Sequence, residues 1–190
     1  MNLYILICSI IDRYGPTSIL SICEKVNNHS QFMKERDKPV GQAQIKSVIS
    51  RKKDLFAVHD DIVSLLPERV FVSMTAEIGA CRGPWFKVKV DFARKTFMVF
   101  GMNLDSVNEL DYQPIVAGST DEFKHEIFKM KLWNWEPSYE RQEIVLDGTC
   151  WCITLKTIGQ TYKSEGLNVF PREWAKFSKA LSKLIGKKLC

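Results

Sequence analysis

The chain has 190 residues, 45% of them hydrophobic and 26% charged, with 11 Phe, 5 Tyr and 5 Trp; this excludes a disordered chain and allows one large or two small packed domains. The formal net charge of +5 permits an acidic partner such as nucleic acid without requiring one. Six cysteines with no Cys-x-x-Cys pair and three scattered histidines offer no tetrahedral ligand pattern, so neither a metal nor a cofactor is expected, and the cysteine usage suits a reducing cytoplasm better than secretion.

Leu3 to Ile11 is apolar. No basic segment precedes it, no small-residue cleavage site follows, and it is too short to cross a bilayer, so it is read as a buried first helix and no membrane partner is expected. Gly15-Pro16 stops that helix. Thr17 or Ser18 can cap a second, whose Ile19, Ile22, Cys23 and Val26 fall on one helical face. Asn27 to Ser30 breaks the pattern, and Gln31 to Lys38 reads as a loop with room for one helical turn. A third helix follows from about Gln42 to Lys52, burying Ile45, Val48 and Ile49. Leu55 to Val58, the turn His59-Asp60-Asp61, and Ile62 to Leu66 read as strand, turn, strand.

Three helices and a hairpin make the winged helix-turn-helix plan, which places its third helix in the major groove. Gly15-Pro16-Thr17-Ser18-Ile19, the Val40 to Ile49 helix, Ser50-Arg51-Lys52-Lys53-Asp54-Leu55-Phe56 and the Asp60-Asp61-Ile62-Val63-Ser64-Leu65 hairpin resemble the HARE-type winged helix-turn-helix domain. The resemblance spans about residues 1–67 and implies a DNA-binding or chromatin-associated module without enzymatic activity.

With the apolar face buried, the third helix offers Gln42, Gln44, Lys46, Ser47 and Ser50 to a partner, and Arg51, Lys52 and Lys53 extend it. Gln pairs with adenine, Ser donates or accepts, and Lys and Arg meet phosphates. Asp60 and Asp61 at the wing tip oppose a phosphate backbone. Residues 1–66 hold nine Lys/Arg against seven Asp/Glu, a small excess that leaves a protein-docking face, or simple packing on a neighbour, as alternatives.

Pro67-Glu68-Arg69 reads as a linker between a domain at 1–67 and an α+β domain at 70–190. Val70 to Met74 is strand-like, and Thr75 to Gly83 allows a turn of helix. Two later stretches, Trp85 to Asn103 and Trp151 to Asn168, both run Trp, alternating strand, turn, strand, Gly-x-Asn. Their Trp-to-Gly separations are 16 and 15 residues, so each reads as a β-hairpin, the second with a loop one residue shorter, and a duplicated unit is one explanation. Ser119 and Glu122 form a capping box for a helix carrying Phe123, Ile127, Phe128 and Met130. Trp133 and Trp135 alternate as on an extended segment. A last helix beginning near Pro171 buries Trp174, Phe177, Leu181 and Leu184 and turns out Lys176, Lys179, Lys183, Lys187 and Lys188, a second basic face that also complements the helix dipole.

Leu146-Asp147-Gly148-Thr149-x-Trp151 with Ser164 to Pro171 and Trp174 loosely resembles a small bacterial domain of unknown function; the resemblance implies a hairpin followed by a helix and no chemistry. No phosphate loop, dinucleotide fingerprint, serine elbow or zinc-protease helix is present. Asp105, Asp147 and Glu165 sit in turn contexts, and nothing in the spacing supports a Cys81–His125 nucleophile pair. Cys150 and Cys152 share one side of a strand, where packing accounts for them. Phe86, Trp133, Trp135, Trp151 and Trp174 near Lys87, Lys89 and Lys131 could stack bases if exposed, but large aromatics are core residues first. The sequence therefore leads to a cytoplasmic, non-catalytic protein that binds nucleic acid, duplex DNA foremost, with a second sensing or interaction domain. A protein–protein adaptor is the alternative, and an uncharacterised enzyme comes third.

Overall fold

A computed structural model describes the chain except residues 1, 35, 37, 81–84, 104–105, 110–117, 141–147 and 188–190, and describes the backbone alone at 102–103 and 106–109. The fold is α+β and divides into two compact units, Met1–Val70 and Phe71–Cys190. No helix among the described residues is long and apolar enough to cross a membrane.

In the first unit, α1 (Leu3–Tyr14) buries residues on every side, including Ile5, Ile7 and Cys8. Gly15 ends it at φ 76°, a conformation that suits glycine, and its N–H bonds to the Ile11 carbonyl. Ser18 caps α2 (Ile19–Asn27) by accepting from the Ser21 N–H, while Thr17 is taken up by a short strand, β1 (Thr17–Ser18). Helix α2 buries Ile19, Ile22, Cys23 and Val26, the stripe its spacing indicates. A single turn, α3 (Ser30–Met33), buries Phe32. Asn27 then fixes the lead-in to the next helix. Its amide donates to the Val40 carbonyl at 2.9 Å and accepts from the Val40 N–H at 2.8 Å. Helix α4 (Gln42–Arg51) buries Ile45 and Ile49, with Val48 half-buried, and leads into β2 (Phe56–His59) and β3 (Ile62–Leu65). The sheet order is β1-β3-β2, antiparallel throughout. Pro67–Arg69 forms a 3₁₀ turn rather than an open linker, and Arg69 Nε donates to the Asp54 carbonyl.

The second unit is built on β4 (Phe71–Ala80). Thr75 to Ala80 continue this strand and are not helical, because Met74, Ala76 and Ile78 point one way and Thr75, Glu77 and Gly79 the other, with paired strands on both sides. On one side lie β5 (Trp85–Asp91), β6 (Thr96–Asn103) and β7 (Ser106–Glu109). On the other, after α5 (Thr120–Met130) and β8 (Ser138–Tyr139), lie β9 (Thr149–Thr157) and β10 (Thr161–Leu167). The order is β7-β6-β5-β4-β9-β10-β8, and β10–β8 is the parallel pair. Helix α6 (Trp174–Ile185) starts three residues beyond Pro171, whose carbonyl accepts from the Trp174 N–H.

The two hairpins flank β4 symmetrically, but their tryptophans are not equivalent. Trp151 pairs with Ile78 and Gly166, whereas Trp85 pairs with Gly79 and Met102. Ile78 and Gly79 face opposite sides of the sheet, so the two indoles do too. Phe86 is the counterpart of Trp151: it also pairs with Ile78, and it precedes its glycine, Gly101, by the same 15 residues. The loops do not differ in length, since Asp91 pairs with Thr96 and Lys156 with Thr161. The one-residue difference seen in the sequence is the displacement of Trp85 to the other face.

The inner face of the sheet carries Met74, Ala76, Val88, Val90, Trp151, Ile153 and Leu155, all nearly fully buried. Helix α5 and the turn after it cover one part, with Phe71 stacked on Phe128 at 4.6 Å and tilted against Trp133. The start of α6 covers another, with Trp174 4.8 Å from Trp151. Trp133 and Trp135 do not alternate on an extended edge. Lys131 adopts φ 51°, a 3₁₀ turn follows at Leu132–Asn134, and both indoles are buried.

The glycine–asparagine motif near Trp151 is a structural latch. Asn168, at φ 54°, accepts the Thr149 N–H through its side chain at 2.7 Å and donates its own N–H to the Thr149 carbonyl. A Cβ on Gly148 would collide with the Asn168 side chain. Trp151 Nε1 donates to the Val169 carbonyl at 2.9 Å. This geometry gives Gly148, Thr149, Trp151 and Asn168 of the loose resemblance structural roles, while Leu146 and Asp147 lie outside the described residues.

Candidate nucleic-acid interface

The exposed side of α4 follows from which residues it buries. Ile45 and Ile49 turn one side inward, and the 3.6-residue repeat then sets two outward rows. Gln42, Lys46 and Ser50 form the row nearer the hairpin, continued by Lys53. Gln44, Ser47 and Arg51 form the other. All seven are exposed. From Lys38 to Lys53 the chain carries five cations and no carboxylate. Gly41 caps α4 without a side-chain hydrogen bond.

The predicted residues are not equally available. Lys46 Nζ lies 3.2 Å from Asp61 Oδ1, an exposed pair. Arg51 Nε donates to the Ser47 carbonyl one turn back, which holds the guanidinium along the helix. Lys52 departs from the set: it is half-buried, with its ammonium 4.8 Å from the Tyr4 ring centroid, turned toward α1. Lys53 is exposed and makes no ion pair among the described residues.

A groove of ≈ 410 Å³ runs between α4 and the hairpin. Its walls are Lys46, Ile49, Ser50 and Lys53 on the helix side and Phe56, Val58 and Asp61 on the other, with Ile19 beside them. This groove was not evident from the sequence. Its signal is Val58, which shares a face with the fully buried Val63 yet remains 51% exposed. Asp60 and Asp61 form the hairpin turn at φ 48° and 63°, and the Asp61 carbonyl accepts the Ile19 N–H at 3.0 Å.

The second basic face is reduced by partners inside its own unit. Lys183 Nζ lies 2.7 Å from the Glu122 carboxylate on α5. The hydrogen bond and charge of Lys183 draw the Glu122 pKa down, and Glu122 raises that of Lys183. Lys187 Nζ sits 5.0 Å over the Phe86 ring. Lys176 and Lys179 remain exposed on α6, and Lys188 lies outside the described residues.

Catalytic groupings find little to build on. Asp105, Asp147 and Cys81 lie outside the described residues. Glu165 is ion-paired with Lys163. His125 is held below the usual histidine pKa, chiefly by burial. Among the described residues no three His, Cys, Asp or Glu side chains converge where they could hold a metal ion. Cys150 is disulfide-bonded, so packing alone does not account for it; Cys152 is a free thiol whose pKa burial pushes up. Comparison with family models, with curated proteins and with solved structures found no match to this chain.

Proposed function

We propose that the Met1–Val70 unit binds duplex nucleic acid, DNA foremost, by presenting the exposed face of α4 to the major groove, and that the Phe71–Cys190 unit is a non-catalytic sensing or interaction module. The observation that carries this is the carboxylate-free run of five cations from Lys38 to Lys53 around the exposed Gln42, Gln44, Ser47 and Ser50 of the two outward rows. Lys and Arg supply sequence-independent attraction to phosphate, and Gln and Ser are groups that read base edges. The order of the longer helices α1, α2 and α4, with the single turn α3 between the last two, followed by the hairpin and the antiparallel β1-β3-β2 sheet, supports the winged-helix reading, as does the resemblance of residues 1–67 to HARE-type domains.

Fluorescence anisotropy of the full chain with a labelled 20-base-pair duplex tests this. If Lys46, Arg51 and Lys53 each neutralise one phosphate, affinity falls about 40-fold between 50 and 200 mM KCl. Arg51→Ala or Lys53→Ala then removes about one unit of the salt slope. Absence of binding at 50 mM KCl defeats the proposal. The groove beside Val58 favours a second reading, in which the same unit docks a protein.

A further inference from the structure

The outer edge of the first unit's sheet is open. β2 ends the order β1-β3-β2 and has no further strand neighbour among the described residues. Edge strands are normally protected by a lysine, a proline, a bulge or a covering element. β2 reads Phe56-Ala57-Val58-His59, with none of these in its sequence, and Ala57, Val58 and His59 are all exposed.

The hydrogen-bond phase shows which groups face out. The Leu66 N–H bonds to the Leu55 carbonyl at 2.9 Å. Antiparallel ladders alternate, so Ala57 with Ser64 and His59 with Ile62 are the hydrogen-bonded pairs, and the peptide groups of Phe56 and Val58 turn to the free edge. The Phe56 N–H is already bonded to the Lys52 carbonyl. The Val58 N–H and the carbonyls of Phe56 and Val58 are left facing outward, beside a side chain, Val58, that the core does not cover.

We propose that β2 is a self-association edge, pairing antiparallel with β2 of a second copy of this chain across a twofold axis centred on Ala57. Each Val58 N–H then donates to the Phe56 carbonyl of the second copy, two bonds related by symmetry. The small Ala57 side chains meet at the axis, and each Val58 lies against Phe56 of the other chain. Charge fits the same arrangement. Antiparallel pairing sets the start of one strand beside the end of the other, which brings Lys53 to Asp61 of the second copy, twice. Within one chain Asp61 is paired with Lys46, and Lys53 has no ion pair among the described residues. An interface built on four-residue strands is smaller than the standard ~1,600 Å² contact, so the association is a weak one that needs high protein concentration to be seen.

Sedimentation equilibrium of the full chain without nucleic acid, from about 5 µM to about 1 mM, tests this independently of any DNA binding. The weight-average mass is expected to rise from the monomer toward twice that value. Val58→Lys, at an exposed position, blocks the edge and abolishes the rise. Lys53→Asp and Asp61→Lys each weaken association at least fivefold, and the double exchange restores it, while circular dichroism melts confirm that every variant is folded. A monomeric mass at the highest concentration overturns the proposal, as does undiminished association of folded Val58→Lys or failure of the double exchange to restore pairing.

Discussion

Gly166→Ala probes the latch that joins β10 to the lead-in of α6. A Cβ at 166 would lie 2.7 Å from the Val169 carbonyl oxygen and 2.8 Å from Trp151 Nε1. Those atoms are the acceptor and donor of one hydrogen bond, so the methyl wedges into it. One neighbour is backbone and the other belongs to an indole that is 2% exposed and packed among Trp135, Tyr139 and Trp174; neither can move freely. Losing the bond costs about 1–3 kcal/mol and overpacking about as much again, for a total of about 2–6 kcal/mol. All five tryptophans fall in Phe71–Cys190, so indole fluorescence in urea reports this unit alone. With a slope of about 2 kcal/mol per molar, the fluorescence midpoint drops by about 1–3 M. In a Trp151→Phe background, where the Nε1 atom is gone, the same substitution costs less, because the two changes share a contact. A Gly166→Ala midpoint within about 0.2 M of wild type, or full additivity with Trp151→Phe, refutes the latch.

His125 predicts a pH dependence of the second unit. Burial lowers its folded-state pKa, so as pH falls through the ordinary value near 6.5 the unfolded chain takes up a proton that the folded chain resists, and stability declines toward pH 5. His125→Gln flattens the fluorescence-detected urea midpoint between pH 7 and 5; an unchanged slope counts against it. The raised thiol pKa of Cys152 predicts slow alkylation: with iodoacetamide at pH 7.5, peptide mapping finds Cys152 modified more slowly than a free model thiol, and equal rates contradict the assigned environment.

What the sequence made legible was periodic or local. The Ile19 to Val26 stripe, the Gly15 stop and the Ser119 cap depend on neighbours within a turn and take the expected form, but the return half of the Ser119–Glu122 capping box does not, since the Glu122 carboxylate pairs with Lys183 instead. The errors come from longer range. Thr75 to Ala80 contains residues that tolerate a helix, and only strands β5 and β9, on both sides, decide otherwise. Trp133 and Trp135 look like strand alternation until a left-handed Lys131 reverses the chain. The two hairpins share a pattern, but register is set by the pairing with β4, which no single-strand pattern encodes. At the candidate site, the exposed rows of α4 were readable from Ile45 and Ile49. The groove was not, because it depends on Val58 having no helix over it. The contact of Lys52 with Tyr4 is likewise invisible in the sequence, because it depends on the chain turning back toward α1 beyond the helix end.

The acidic wing tip has a backbone reason that weakens it as evidence against DNA. Both central residues of the turn adopt positive φ, 48° at Asp60 and 63° at Asp61, as a two-residue hairpin loop requires, and Asn, Asp and Gly are the residues that meet this demand. The carboxylates can thus be there for the turn. Asn fulfils the same requirement without charge, so substitution separates the two roles. Asp60 is the cleaner position, since Asp61 also holds Lys46, whereas among the described residues Asp60 pairs only with the exposed His59. Asp60→Asn leaves the thermal melt of the chain unchanged to within about 0.5 kcal/mol. If α4 enters the major groove with the wing beside it, the variant binds duplex several-fold more tightly at 50 mM KCl, and the gain shrinks as salt screens the removed repulsion. Equal affinity of Asp60→Asn and wild type at low salt shows that the wing stays clear of phosphate, which leaves α4 to act without it.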